Sequence, residues 1–260
     1  LIILKLVKKT FQGILFEGIM DFTFGIITDG KRDHFVEEMV SSIERLKISN
    51  YEILIVGNSN VSGKNTTVIP FDENERPNWI TRKKNIVTEN AKHENISYSH
   101  DYYVFNEDWY DGYLRYGDNF KVCLNRVLNK RNERYMDWLI WPFNRSPMDK
   151  IVSSGLQTEI EKDHANRECL IPYDITHLSK YMYMNASYFV AKKSIMKRFP
   201  FDENKVWGMG DDVEWSMRYR SYPGNTFSIN SRSTNTILKD KKSPFKECSP
   251  DTVEKLISFI

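Results

Sequence analysis

Two short runs in the first quarter of the chain constrain its fold more than anything else in it. Phe22-Thr-Phe-Gly-Ile-Ile-Thr28 leads into Asp29-Gly30, and Tyr51-Glu-Ile-Leu-Ile-Val-Gly57 leads into Asn58-Ser-Asn60. Both are rich in β-branched and aromatic residues and close on turn chemistry, so each predicts a buried strand. Between them Phe35, Met39, Val40, Ile43 and Leu46 recur at helical spacing, with Asp33 as a candidate cap. Strand, helix and strand within about 35 residues make a βαβ unit, which implies a parallel sheet. Ligands of such sheets bind beyond the carboxyl ends of the strands. Asp29 and Asn58 stand at those two ends.

The pattern continues downstream. Val68–Pro70 reads as a short strand, Trp79–Ala91 as a helix carrying Lys83 and Lys84, and Ile96–Asp101 as a strand ending in a carboxylate. Tyr110–Val127 is expected to be helical, Asp137–Cys169 to be loops and small elements, and Met182–Val190 to be one strand. Lys192–Arg198 and Asp211–Arg220 are helix-compatible, and Thr226–Ile229 and Thr234–Leu238 are late strands. No repeat and no long linker divides the chain, so a single α/β domain is the economical reading.

Composition narrows the function classes. Of 260 residues, 40% are hydrophobic and 28% charged, which excludes a disordered chain. Lys and Arg total 37 against 35 Asp and Glu, a net charge of +2 that argues against a dedicated nucleic-acid binder. Cys123, Cys169 and Cys248 lie far apart with no CxxC pair, which argues against a disulfide framework or structural zinc and for a reducing compartment. No apolar run reaches the ~18 residues of a membrane span. The opening Leu1–Lys9 is apolar but interrupted by Lys5, and its charge follows the apolar stretch, so it reads as a first strand or helix and not as a signal peptide. The absent initiator Met and the first 20 residues fit an excised domain or an incompletely defined start.

Chemistry concentrates in a few places. Asp101 ends a strand within His-Asp-Tyr-Tyr; alone it reads as a turn residue, but Asp29 and Asn58 end two other strands that could face the same cleft. Trp207-Gly-Met-Gly-Asp-Asp-Val-Glu-Trp215 sets Asp211, Asp212 and Glu214 behind two glycines. Acidic residues suit a helix start, but the flanking tryptophans and glycines point further, to a sheltered carboxylate able to take a proton from a hydroxyl. Lys83 and Lys84 are either a solvated helix face or contacts to a phosphate-bearing ligand. The five histidines show no metal-binding spacing, and His100 alone lies beside a candidate site. The absence of GxGxxG, GxxxxGK[ST] and GxSxG leaves dinucleotide, P-loop and hydrolase-elbow chemistries without local support. Trp138, Trp141, Phe143 and Tyr173 are either core or a stacking surface for a sugar.

In order, these pieces are a strand with TDG, a strand with GNSN, a helix with KKN, HDYY, Asp108-Trp109, MNASYFVAKK, PFDE and WGMGDDVEW. From about Phe22 to Lys242 the chain resembles the GT-A glycosyltransferases, specifically the inverting, family 2 type that uses nucleotide-sugar donors. The resemblance implies a Rossmann-like domain over 21–260, with 1–20 an extension or first element, and a mostly parallel central sheet flanked by helices. It implies that Thr28 and Asp29 hold the nucleotide base and ribose and that Asn58 contacts the base. Lys84 and Asn85 would lie near the donor phosphates, and Asp101 would hold a divalent ion, Mn2+ or Mg2+, bridging the diphosphate. Asp212 would be the catalytic base, Asp211 would hydrogen-bond the acceptor, and Trp207 and Gly210 would shape the sugar pocket.

Two departures bear on the metal. Tyr103 stands where a second carboxylate of the DxD-type motif is usual, and no His follows His177. Asn235, Lys239 and Asp240 lie in the neighbourhood where relatives place a metal-binding His, and a lysine there could replace the cation. The implied partners are a UDP- or GDP-sugar and a glycan or lipid-linked acceptor. The expected location is cytoplasmic, with peripheral contact at the inner face of a membrane left open. A sugar-phosphate nucleotidyltransferase and an inactive, sugar-binding domain of the same fold are the competing readings.

Overall fold

The computed structural model describes residues 19–140, 169–176, 179, 182–250 and 254. The opening segment Leu1–Lys9, Trp141 and Phe143 lie outside the described residues. The chain opens with β1 (Phe22–Ile27), α1 (Asp33–Arg45) and β2 (Tyr51–Val56), the expected βαβ unit, and β1 and β2 pair in parallel. Next come β3 (Thr66–Ile69), α2 (Ile80–Asn90), β4 (Asn95–His100), β5 (Tyr103–Phe105) and α3 (Asp108–Tyr116). The second half holds β6 (Val122–Leu128), β7 (Trp138–Ile140), β8 (Cys169–Leu170), β9 (Met182–Met184) and β10 (Tyr188–Lys192). It closes with α4 (Lys193–Arg198), α5 (Asp211–Arg220) and β11 (Phe227–Ile237).

Eight strands form one sheet in the order β3-β2-β1-β4-β10-β6-β11-β5. The β3-β2-β1-β4 half is parallel, β6 and β11 are parallel, and β10 and β5 run antiparallel to their neighbours. The architecture is thus a mostly parallel α/β sheet flanked by helices. A second sheet, β8-β7-β9, is antiparallel.

Both faces of the large sheet are covered, which is why its strands read as nearly continuous apolar runs. Phe22, Phe24 and Ile26 pack with Val36, Met39, Val40 and Ile43 of α1 and Trp109 and Tyr113 of α3. Leu54, Val56, Ile96 and Tyr98 pack on the opposite face with Val87 of α2, Met196 of α4 and Trp215 and Tyr219 of α5. Gly25 in mid-strand lets α2 close in: a β-carbon there would run into the Val87 side chain. That approach brings the α2 lysines to the strand ends.

Several expectations are corrected. Tyr110–Val127 is not one helix: α3 ends at Tyr116, Gly117 turns the chain at φ 88°, and β6 follows. Val122, Cys123, Leu124 and Val127 mimic helical spacing because β6, an interior strand, buries both faces. Met182–Val190 is broken into β9 and β10 around Asn185–Ser187, whose Asn side chain accepts the Ser187 N–H and O–H. The two late strands are one, β11, with a bulge between Asn230 and Thr234. Asp33 caps nothing; it opens α1, and its carboxylate accepts from the Ser59 hydroxyl and the Asn60 N–H.

The cysteine expectation is overturned as well. Cys169 and Cys248 form a disulfide across 79 residues of sequence, while Cys123 is free and buried in β6. The chain returns to β8 through backbone hydrogen bonds from Leu170 to Lys246 and from Cys248 to Leu170, which brings the two thiols together. Nearby, the buried Asp137 carboxylate accepts from Arg134, the Tyr173 hydroxyl and the backbone N–H groups of Val127 and Trp138. Trp138 is fully buried in the core, and the half-buried Tyr173 packs edge-on against it.

Candidate functional site

The carboxyl ends of β1 and β4 open into a cleft of about 420 Å3 lined by Thr28, Asp29, Arg32, Lys83, His100, Asp101, Trp207, Lys239 and Lys241, among others. Beside it lies a second cavity of about 230 Å3, lined by Lys84, Asn185, Ser187, Gly210, Asp211 and Asp212. Ile80, His100 and Trp207 line both and form their shared wall.

Asp101 is 1% exposed and fully engaged. Arg32 donates to it through Nε and Nη2 in a bidentate pair, 2.8 Å at the closest, and Thr28 Oγ1 donates at 2.8 Å. Thr28 is therefore a bracket for Asp101 as well as part of the cleft. Asp29 works against its partial burial, but the Lys31 N–H and the charges of Arg32 and Lys31 hold its carboxyl below the usual range. Asn58 is exposed and is not among the residues lining the cleft.

The two lysines of α2 divide between the cavities. Lys83 Nζ donates to the Thr28 carbonyl at 2.7 Å, pairs with Glu73, and lies in the larger cleft. Lys84 is 1% exposed; its ammonium lies over the Phe201 ring and pairs with Asp211 Oδ2 at 3.1 Å. So Lys84 serves the carboxylate pair and Lys83 the strand-end cleft. Asn85 is turned away from both cavities: its side chain grips the Phe201 backbone at N–H and carbonyl and donates to Glu203.

Asp211 and Asp212 open α5, whose cap Gly210 sits in the left-handed region at φ 64° and carries no side-chain cap. A Cβ-bearing residue would be strained there. Burial first, then the neighbouring Asp211 charge, push the Asp212 carboxyl up to about 6, with Lys84 opposing the rise. That value suits a proton acceptor at neutral pH: ionised, yet basic enough to draw a proton from a hydroxyl. Glu214 is spent on an ion pair with Arg218 at 2.8 Å, and Trp215 is core, with its indole N–H on the Phe199 carbonyl. Trp207, by contrast, is 67% exposed and stands at the shared mouth with its ring unburied.

Sequence reasoning missed Arg32 and underrated Lys83, because nothing in either's local pattern marks it; only the fold carries them to the strand ends. His100 Nε2 is buried without a hydrogen-bond partner between the two cavities. Burial, followed by Lys84, Lys239, Arg32 and Lys83, holds that imidazole well below its usual range and therefore neutral.

The donor set does not fit a divalent ion. Hard cations need several free oxygens converging on one point. Both Asp101 oxygens are taken by Arg32, and Tyr103 is buried with its hydroxyl shared with Ser187. Among the described residues no three His, Cys, Asp or Glu side chains form a metal-holding group. The implied metal on Asp101 is therefore not supported by this geometry, because Arg32 and Thr28 already engage both carboxylate oxygens.

Among the described residues no helix is long and apolar enough to cross a membrane. Neither a protein-family model nor a curated protein sequence matches the chain. Among solved structures, the crystal structure of GalNAc-T7 with UDP, GalNAc and Mn2+ matches at a TM-score of 0.51 and 12% identity, covering 93% of this chain and 48% of that one. The chain thus spans about half the length of the solved chain it matches, and at that identity the likeness speaks for the fold, a GT-A-like, Rossmann-type α/β arrangement.

Proposed function

We propose that residues 21–260 form a glycosyltransferase domain that moves a sugar from a nucleotide-diphosphate donor to a hydroxyl of a glycan or lipid-linked acceptor. The observation that carries the reading is the pair of joined cavities: a cation-rich cleft at the strand ends and, across His100 and Trp207, a cavity holding Asp211 and the basic Asp212. The GT-A-like fold supports it, as does a neighbour of that fold whose structure contains UDP, GalNAc and Mn2+. Family 2 membership rests on the motif order alone.

The proposed chemistry is a direct displacement with inversion. Asp212 takes the proton from the acceptor hydroxyl, whose oxygen attacks the anomeric carbon as the bond to the diphosphate breaks. Lys84 pairs with Asp211 Oδ2 at 3.1 Å, which holds that carboxyl group where it accepts a hydrogen bond from the acceptor. Trp207 offers a flat apolar face to a sugar ring. Charge gathers on the leaving diphosphate, where the cleft cations stabilise it. The Cys169–Cys248 bridge favours an oxidising compartment over the cytoplasmic expectation.

The test is a panel of UDP- and GDP-sugars, followed for release of free nucleotide with and without candidate sugar acceptors. Turnover of one donor that collapses in Asp212→Asn supports the reading. A panel that is bound but never turned over would favour a sugar-binding domain.

A further inference from the structure

A diphosphate leaving group gains negative charge as the glycosidic bond breaks, so its cleft must supply positive charge. In this fold the charge would be expected from an ion on Asp101, yet that carboxylate is buried and its oxygens are occupied by Arg32 and Thr28. The positive charge is already in the wall: Arg32, Lys83, Lys239 and Lys241 all line the cleft. Two of them are committed, Arg32 to Asp101 and Lys83 to Glu73 and the Thr28 carbonyl. Lys239 makes no ion pair with a carboxylate among the described residues; its ammonium stands over the Tyr102 ring, 3.6 Å from the centroid. The preceding Leu238 N–H donates to the Tyr102 carbonyl at 2.8 Å, which fixes the end of β11 beside the turn that joins β4 to β5.

The geometry points to Lys239 as the residue that holds the donor diphosphate in this cleft, in place of a divalent metal ion. The assignment rests on the nucleotide-sugar reading above. A lysine ammonium is a compact charge suited to phosphate. Resting on an aromatic face keeps Lys239 partly out of water, where an approaching anion is attracted more strongly than at an open surface. Asp101 then acts as a positioning residue: it holds the Arg32 fork at the cleft wall.

Calorimetry of UDP, GDP and dTDP binding to the full chain, in EDTA and in excess Mn2+, tests this. The expected result is equal affinity in the two buffers for whichever nucleotide binds. Lys239→Gln is expected to weaken that affinity by about tenfold, about 1.4 kcal/mol, with recovery in Lys239→Arg and unchanged thermal melting in both variants. Binding that depends on Mn2+ overturns the assignment and leaves the nucleotide-sugar reading standing. Undiminished binding by Lys239→Gln overturns it too. Binding of none of the three nucleotides in either buffer overturns both.

Discussion

Asp212→Asn is expected to make the protein more stable while removing its activity. The Asp212 carboxyl, ordinarily at 3.8, is pushed up to about 6 by burial and by Asp211. Between those two values the folded protein holds a proton that the unfolded chain has released, so stability falls as pH rises from about 4 through about 6. The displacement corresponds to at most about 3 kcal/mol at neutral pH, and to about half that once solvent screening of a partly exposed side chain is allowed for. Asn has no charge to bury, and its amide oxygen can still accept the Val213 N–H that Asp212 accepts at 2.9 Å. At roughly 2–4 °C per kcal/mol for a chain of this size, the variant should melt about 3–6 °C higher near pH 7.5. The gap should shrink to little near pH 4. Turnover should fall by about 10²–10⁴-fold, the usual contribution of a positioned base. Melting curves across the pH series and donor turnover in the same buffers check both halves. A variant no more stable than wild type near neutral pH would refute the electrostatic argument, and undiminished turnover would remove Asp212 as the base.

Four further outcomes follow from the same geometry. Lys84→Met removes the cation that opposes the rise in Asp212, so the acid limb of the rate profile should move above about pH 6, read from kcat/KM against pH. Cys248→Ser opens the 79-residue disulfide loop and should cost about 2–4 kcal/mol in urea denaturation without altering nucleotide affinity. Trp207→Ala at the exposed mouth should leave stability within about 0.5 kcal/mol while raising the KM for acceptor; an unchanged KM would take Trp207 out of the site. Asp101→Ala leaves the half-buried Arg32 without its bidentate partner and should lower stability by about 1–3 kcal/mol, measured by the same denaturation.

Several elements were legible because local chemistry and tertiary position agree. The βαβ unit reads directly from Phe22–Gly57, since a parallel sheet covered on both faces leaves continuous apolar strands bounded by turns. The helix over Asp211–Arg220 reads from its glycines and acidic first turn. Where a segment's burial is set by distant partners, the local pattern misleads. Val122–Leu128 mimics a helix face because both of its sides are buried, and no local signal announces that its neighbours are β10 and β11. Cys169 and Cys248 read as unrelated because only the pairing of β8 with the returning C-terminal segment brings them within 5.5 Å at the Cα atoms.

The site divides the same way. That carboxylates end two strand-like segments and open one helix is readable locally, since turn and helix-start chemistry are properties of a few adjacent residues. Which cations face those carboxylates was decided by the tertiary structure alone. Adjacent residues on a helix point about 100° apart, so Lys83 went to the strand-end cleft and Lys84 to Asp211, while Asn85 turned inward to hold the Phe201 backbone. Arg32 met Asp101 across 69 residues of chain, and Lys239 reached the same cleft only because β11 pairs with β5 and ends beside the β4–β5 turn. Electrostatic partners act through space, and the sequence orders them only along the chain.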